Sequence, residues 1–313
     1  MKWFLGASIL IAIAMGRAAT ATIPAATASI DDASLRFLPP DTQSVAVIDV
    51  AALRNSPLMQ DVFNRKDLLP AHWAVIMAGT GFDPQRDLDK ITVAKIGTRD
   101  SLAVVQARFD KFKVEQYLKD HVRRSEVEVY LGQTLYREGE SAYVLFDNTA
   151  LGGQASAVKK AIDQMQLPGS QPLHSDLIAA IQTIEAGNQV WAAGNLSVND
   201  LSNVGVRGPA PALEMLKSLR NGTYQMRVDS GIHARGVGNF ADAESAKNVS
   251  DLARGAIAIA KSQVAKSQPE LLQALDGIEV TNSGATLTVR VEESGDLFKK
   301  LKDLKRTIER NFR

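Results

Sequence analysis

Apolar and polar residues alternate in short runs along the first half of the chain, and turn-forming residues separate the runs. Residues 44–48 form an apolar stretch that stops at Asp49, whose side-chain oxygen suits a helix start, so a strand followed by a helix is predicted there. Residues 91–96 place Ile91, Val93 and Lys95 on one face and Thr92, Ala94 and Ile96 on the other. Gly97-Thr98-Arg99-Asp100 then supplies a turn and residues 101–109 a returning strand. A helix is predicted over 113–122, extended segments over 127–131, 134–137 and 141–146, and a closing helix over 154–165.

The second half repeats this succession. The apolar stretch 189–196 leads into Ser197-Val198-Asn199-Asp200-Leu201-Ser202-Asn203, which aligns with Asp49-Val50-Ala51-Ala52-Leu53-Arg54-Asn55 and offers Ser197 as a second cap. Strands are predicted over 223–228 and 232–240 about the turn Asp229-Ser230-Gly231, then a helix over 243–266. A second hairpin follows over 277–281 and 285–291 about Asn282-Ser283-Gly284, and a helix over 296–312. Phe109 aligns with Phe240 and Ser141 with Ala285, as a diverged duplication leaves them. Each copy reads β-α-β-β-α-β-β-α. The fold expected is α+β, two tandem ferredoxin-like units of antiparallel sheet with helices on one face. The two prolines and glycine of Leu167-Pro168-Gly169-Ser170-Gln171-Pro172 place the boundary near 168, giving units over 29–168 and 169–313.

Three pieces of punctuation occur together: Leu38-Pro39-Pro40-Asp41, the Gly81-Phe82-Asp83-Pro84…Asp87-Leu88-Asp89-Lys90 turn, and Phe146-Asp147-Asn148-Thr149-Ala150-Leu151-Gly152. With them the chain resembles a broad family of bacterial secreted or envelope proteins with tandem α+β repeats. The resemblance covers most of the first half and implies a fold and export, with no established activity.

The N-terminus reads as a signal peptide. Lys2 is followed by an apolar run to Met15, too short to span a bilayer comfortably, and then by two A-x-A cleavage sites, Ala19-Thr20-Ala21 and Ala26-Thr27-Ala28. Residues 1–28 are therefore expected to be a leader, and the mature protein to be periplasmic or extracellular. Cleavage removes Lys2 and Arg17 and no acid, which takes the formal charge from +1 to about −1. A near-neutral protein has no global field to gather nucleic acid. The 313 residues are 45% hydrophobic and 23% charged, a balance that favours globular domains over disorder or a membrane bundle. There is no cysteine, so disulfides, thiolate metal sites and a lipid-modified N-terminal cysteine are excluded.

Chemistry is sparse. His72, His121, His174 and His233 lie far apart in sequence, so no metal site and no cofactor is expected. Ser156-Ala157-Val158-Lys159 is an S-x-x-K, in which Lys159 one helical turn on would activate Ser156; its K-T-G and S-D-N companions are missing. Gly152 and Gly153 precede the same helix and read either as an anion-binding N–H pair or as a tight strand-to-helix turn. Asp83, Asp87 and Asp89 lack the spacing of a calcium loop, and Asp83-Pro84 reads as helix cap and first helical residue. Glu126 and Glu128 share a strand face, and Glu138 and Glu140 flank a turn, without glycosidase context.

Two functions from different classes follow. The first is a non-catalytic envelope binding or scaffold protein, holding a protein or small-molecule partner in a groove between its halves. The second is a secreted serine hydrolase using Ser156 and Lys159. Membrane contact through the C-terminal helix is a further option. Leu297, Leu301, Leu304, Ile308 and Phe312 share one face there, among an excess of lysine and arginine. The corresponding helix 154–165 has no basic excess, which favours packing over membrane contact for both. If the leader is processed, N-terminal sequencing of protein recovered from periplasm or medium will start between Thr22 and Ser29. An intact Met1 on membrane-bound material would contradict export with cleavage.

Overall fold

The computed structural model describes residues 33–64, 72–121, 126–166, 173–195, 214, 216–264, 269–298 and 300. The leader, the Ser197 segment and the C-terminal helix beyond Lys300 lie outside the described residues. The chain divides into two compact units, one ending at Gly194 and the other holding Asn195 onward. The structure is α+β, with antiparallel sheet and flanking helices in each unit.

In the N-terminal unit, strand β1 (Thr42–Asp49) ends in Asp49, whose carboxylate accepts from the Ala52 N–H at 2.8 Å and caps α1 (Val50–Asn55). Three short helices follow: α2 (Gln60–Phe63), α3 (His72–Thr80) and α4 (Pro84–Asp87). Asp83 caps α4 through the Gln85 N–H at 3.0 Å, with Pro84 at the first helical position. Strands β2 (Leu88–Ile96) and β3 (Asp100–Ala107) form the expected hairpin, turning at Gly97 with φ of 55°. Helix α5 (Lys111–His121) leads to β4 (Glu126–Tyr130), β5 (Gln133–Glu138), β6 (Ser141–Leu145) and β7 (Thr149–Gln154). Helices α6 (Ala155–Gln166) and α7 (Ser175–Gln182) and strand β8 (Val190–Gly194) complete the unit.

Strand order in this sheet is β8-β1-β2-β3-β7-β6-β5-β4, and every pairing is antiparallel. A ferredoxin-like split βαβ would set β1 beside a parallel strand; here β1 lies between β8 and β2, antiparallel to both. The cause is local. Arg54 of α1 donates to the carbonyls of Gln85 and Leu88, which pins the start of β2 beside the end of β1 and sends β2 back along it. The boundary also differs from that expected near residue 168. Val190 through Gly194 pair with Ile48 back to Ser44, and Leu177, Ile181 and Ile184 join the first core, so this stretch belongs to the N-terminal unit.

That core fills one face of the sheet. Val45 and Val47, Ala94 and Ile96, Leu102 and Val104, Leu151, Ala142 and Val144, and Leu135 meet Ala157, Val158, Ala161 and Ile162 of α6. The α6 positions recur at helical spacing and are essentially inaccessible, which explains why 155–166 folds as a helix against this face. Each large aliphatic side chain so buried contributes about 1.5–3 kcal/mol. The opposite face carries Tyr136, whose phenol pKa is raised by burial and by the charge of Glu115 on α5. Helices therefore flank both faces here, not one.

The C-terminal unit has strand order β11-β12-β10-β9, formed by β9 (Leu219–Val228), β10 (Gly231–Phe240), β11 (Ile278–Ser283) and β12 (Thr286–Ser294). Helix α8 (Ala243–Val264) starts at Asp242, which accepts from the Ser245 N–H at 2.7 Å, and buries Ala246, Val249 and Ser250 near Phe240. Arg254 ties it to β11, donating to the Val280 carbonyl at 2.9 Å. Helix α9 (Pro269–Asp276) precedes β11. Residues 295–298 begin the closing helix with Leu297 and Phe298 buried, in keeping with packing at its start.

Residues 149–154 form a full strand between the segments expected as strand 141–146 and helix 154–165, so the helix begins at Ala155. A Cβ at position 153 would sit 2.1 Å from the Ser101 carbonyl oxygen, whereas one at 152 would meet only the movable Tyr143 ring at 3.0 Å. Gly153→Ala is expected to lower stability by more than about 2 kcal/mol, and Gly152→Ala by clearly less, in urea unfolding. Equal effects would contradict this account of the β3–β7 contact.

Candidate functional site

The S-x-x-K residues occupy the first turn of α6 but face different partners. Ser156 Oγ donates to Asp100 Oδ2 at 2.5 Å, at the start of β3. Lys159 Nζ lies 2.5 Å from Glu128 Oε1 on β4 and 5.0 Å from the centre of the Tyr130 ring. Tyr130 in turn donates to Asp163 at 2.8 Å, and Arg137 approaches Glu128 at 3.4 Å. This network fastens α6 to the outer strands. The lysine bond to Ser156 that an S-x-x-K nucleophile requires is replaced by two separate side-chain contacts.

Gly152 and Gly153 lie inside β7, paired with Ala103 and Leu102 of β3 and with Tyr143 and Ala142 of β6. They form neither a strand-to-helix turn nor a helix N-terminus; close strand approach explains them. Asp83 and Asp87 serve the α4 turn, with Arg86 at 2.6 Å from Asp87, and Asp89 faces Arg54 and Arg108. His174 caps α7, accepting from the Asp176 N–H. The side chains of His72 and His121 lie outside the described residues. Among the described residues no group of three or more His, Asp or Glu is placed to hold a metal. No helix among them is long and apolar enough to cross a membrane.

His233 is drawn into a cluster that sequence reading did not single out. Its Nδ1 is 2.7 Å from Glu292 Oε2 on β12 and its Nε2 is 3.2 Å from Asp229 Oδ1 in the β9–β10 turn. Arg227 Nε stands 3.1 Å from Asp229 Oδ2. Burial works to raise the Asp229 pKa, but the Gly231 N–H, His233 and Arg227 together outweigh it and hold the carboxyl below its ordinary range. The cluster clamps the hairpin turn to β12. The spacing of Asp229 and His233 was visible in the sequence; Glu292 arrives only through the β10–β12 register.

The second face of the N-terminal sheet carries an apolar surface that is partly exposed. Register aligns Ala192, Ala46, Val93, Ala103, Gly152, Tyr143, Tyr136 and Val127 in one row across all eight strands. A parallel row holds Val190, Ile48, Ile91, Val105, Ala150 and Leu145. Ala46 is exposed, and Ile48, Ile91, Val93, Val105, Ala150 and Tyr143 are each partly exposed. Beside them runs a polar line: Ser44, Lys95 and Ser101, with Gln154 accepting from the Ser101 N–H at 2.7 Å. Helix α5, over Tyr136, has no fully buried residue among those whose side chains are described, and packs on α3 with Gly79 under the Tyr117 ring. Small residues at the centre of the row, and a helix α5 without a fully buried residue above its aromatic end, leave an apolar platform only partly covered.

No family model and no curated protein matches the chain. Among solved structures it is similar to TP0453. In crystal form III the TM-score is 0.50 at 9% identity, over 85% of this chain and 95% of that one. Form IV gives 0.49 at 10% identity over 87% and 97%, and form I gives 0.46 at 9% over 86% and 95%. The likeness to form III is one of fold alone.

The α6 network has a pH signature. The Lys159 hydrogen bond lowers the Glu128 pKa, burial opposes it, and the charges of Lys159 and Arg137 add to the lowering. A carboxylate depressed in the folded state stabilises above its unfolded pKa and loses that contribution as pH falls through the folded value. Glu128→Gln should therefore lower the urea midpoint at neutral pH, with the gap to wild type closing as pH drops below the ordinary glutamate value of about 4.3. A gap unchanged at the acid end would contradict the charged network.

Proposed function

We propose that the chain is an exported, non-catalytic binding protein of the cell envelope. Its binding surface is the second face of the N-terminal sheet, and its ligand has an apolar body. The observation that carries this reading is the pair of cross-sheet apolar rows, partly exposed at Ile48, Ile91, Val93, Val105 and Tyr143. A sheet face that needed only water would carry polar side chains at those positions, as the corresponding face of the C-terminal sheet does with Thr223, Arg227, Thr288 and Arg290. The hydrocarbon part of the ligand lies along the rows and its polar part toward Ser44, Lys95 and Ser101.

Export rests on the leader-like N-terminus, and the duplicated order of hairpin and helix supports descent of both units from one α+β ancestor. The family of secreted and envelope proteins that the chain resembles accords with this reading. The alternative, a serine hydrolase using Ser156 and Lys159, draws no support from the contacts of either residue.

The test is titration of the mature protein with N-phenyl-1-naphthylamine, an uncharged dye that brightens in apolar surroundings. Saturable binding is expected, weakened at least about tenfold by Val93→Asp, a charge set in the middle of the platform. Ser156→Ala should leave it unchanged. Absence of saturable binding, or equal binding by a folded Val93→Asp, would count against the platform. Loss of an ester hydrolysis activity in Ser156→Ala would favour the hydrolase.

A further inference from the structure

Strand β4 ends the N-terminal sheet, and among the described residues only β5 pairs with it. Its two faces differ in kind. Glu128 and Tyr130 turn toward α6 and are bonded to Lys159 and Asp163. Val127 and Val129 turn the other way and are 57% and 71% exposed; Leu131, 50% exposed, extends the stripe into the turn. That turn is unusual. Tyr130 pairs with Gln133, so Leu131 and Gly132 are its two central residues, with φ of 47° and 79°. Both positive values mark a type I′ turn, whose first position favours Asn, Asp or Gly. A leucine there is strained and exposes apolar surface as well. Of the usual protections of a free edge, this strand has short length and two glutamates, both on the α6 face, but no proline, no lysine and no bulge in its register with β5.

We propose that the outer edge of β4 pairs antiparallel with the β4 of a second copy of this chain, about a two-fold axis at Val129. The side-chain pattern is complementary to itself in that register. Val129 faces Val129, Glu128 faces Tyr130, and Val127 lies beside Leu131 where the strand enters its turn. Each apolar stripe covers the other and no carboxylate opposes a carboxylate. Centring the axis on Glu128 would instead set two glutamates directly opposite, which is destabilising. The strain and exposure at Leu131 thus have a purpose in the dimer, where it packs on Val127 of the other copy.

A chain without cysteine allows a direct test. Directly opposed residues have Cβ atoms about 4.5–5.5 Å apart. Val129→Cys in the otherwise unaltered mature protein should form a disulfide-linked dimer under mild oxidation. Val127→Cys should not, because the register separates the two copies of that residue by about 13 Å along the strands. Sedimentation velocity should show wild type dimerising with concentration. Val129→Lys should weaken dimerisation at least tenfold while keeping the circular dichroism and unfolding midpoint of wild type. Leu131→Asn, which suits the turn, should keep or raise that midpoint and still weaken the dimer. A wild type that stays monomeric throughout, a folded Val129→Lys that dimerises as before, or equal cross-linking by both cysteine variants would overturn the proposal. So would a monomer that binds a foreign strand at this edge.

Discussion

Three strands of the N-terminal sheet, β6, β5 and β4, connect to the rest of it only through β7, and β7 reaches β3 only because residue 153 has no side chain. At that point the backbone of β7 runs against the Ser101 carbonyl more closely than any Cβ would permit. The approach sets the register that aligns Gly152 with Ala103 and Tyr143, and so both rows of the apolar platform. It also sets where α6 begins, since the helix follows Gln154 directly and its first turn meets Asp100 and Glu128. Packing, platform and the contacts of Ser156 and Lys159 all derive from one missing methyl group.

What the sequence disclosed and what it withheld divide along the same physical line. The β2–β3, β9–β10 and β11–β12 hairpins were legible because their turn residues, Gly97, Asp229-Ser230-Gly231 and Gly284, act locally. The caps at Asp49 and Asp83 were legible for the same reason. Strand β7 was not. Thr149-Ala150-Leu151-Gly152-Gly153 has few residues of high strand propensity, and its glycines signal a turn until the neighbouring strand is known. The place of β8 was hidden likewise, because its partner is β1, far back in the chain. At the candidate site the S-x-x-K could be seen but not the carboxylates that occupy both of its members. The platform depends on cross-strand register, which no single segment contains.

The two units use their sheets differently. Both bury one face under helices, and in the N-terminal sheet α5 lies over part of the other as well. In the C-terminal sheet the other face is a lattice of polar pairs: Asn239 donates to Asn221 at 2.7 Å, Thr286 donates to Asn239 at 2.9 Å, and His233 joins Glu292. In the N-terminal sheet the equivalent positions are aliphatic, small or aromatic. The difference between the two units is concentrated on this face, while each keeps antiparallel hairpins on a helix-covered core.

The pairing of β1 with β8 bears on the order in which the chain becomes protein. A polypeptide emerges N-terminus first, so β1 and β2 are available long before Val190–Gly194 is made. Until then one side of β1 presents an unpaired backbone ladder carrying Val45 and Val47, in a chain that has no disulfide to hold partial structure. Within the N-terminal unit, the first of the described strands is the last to be completed. Its open side is where a chaperone would do the most good, and where a stalled or truncated chain would be the most adhesive.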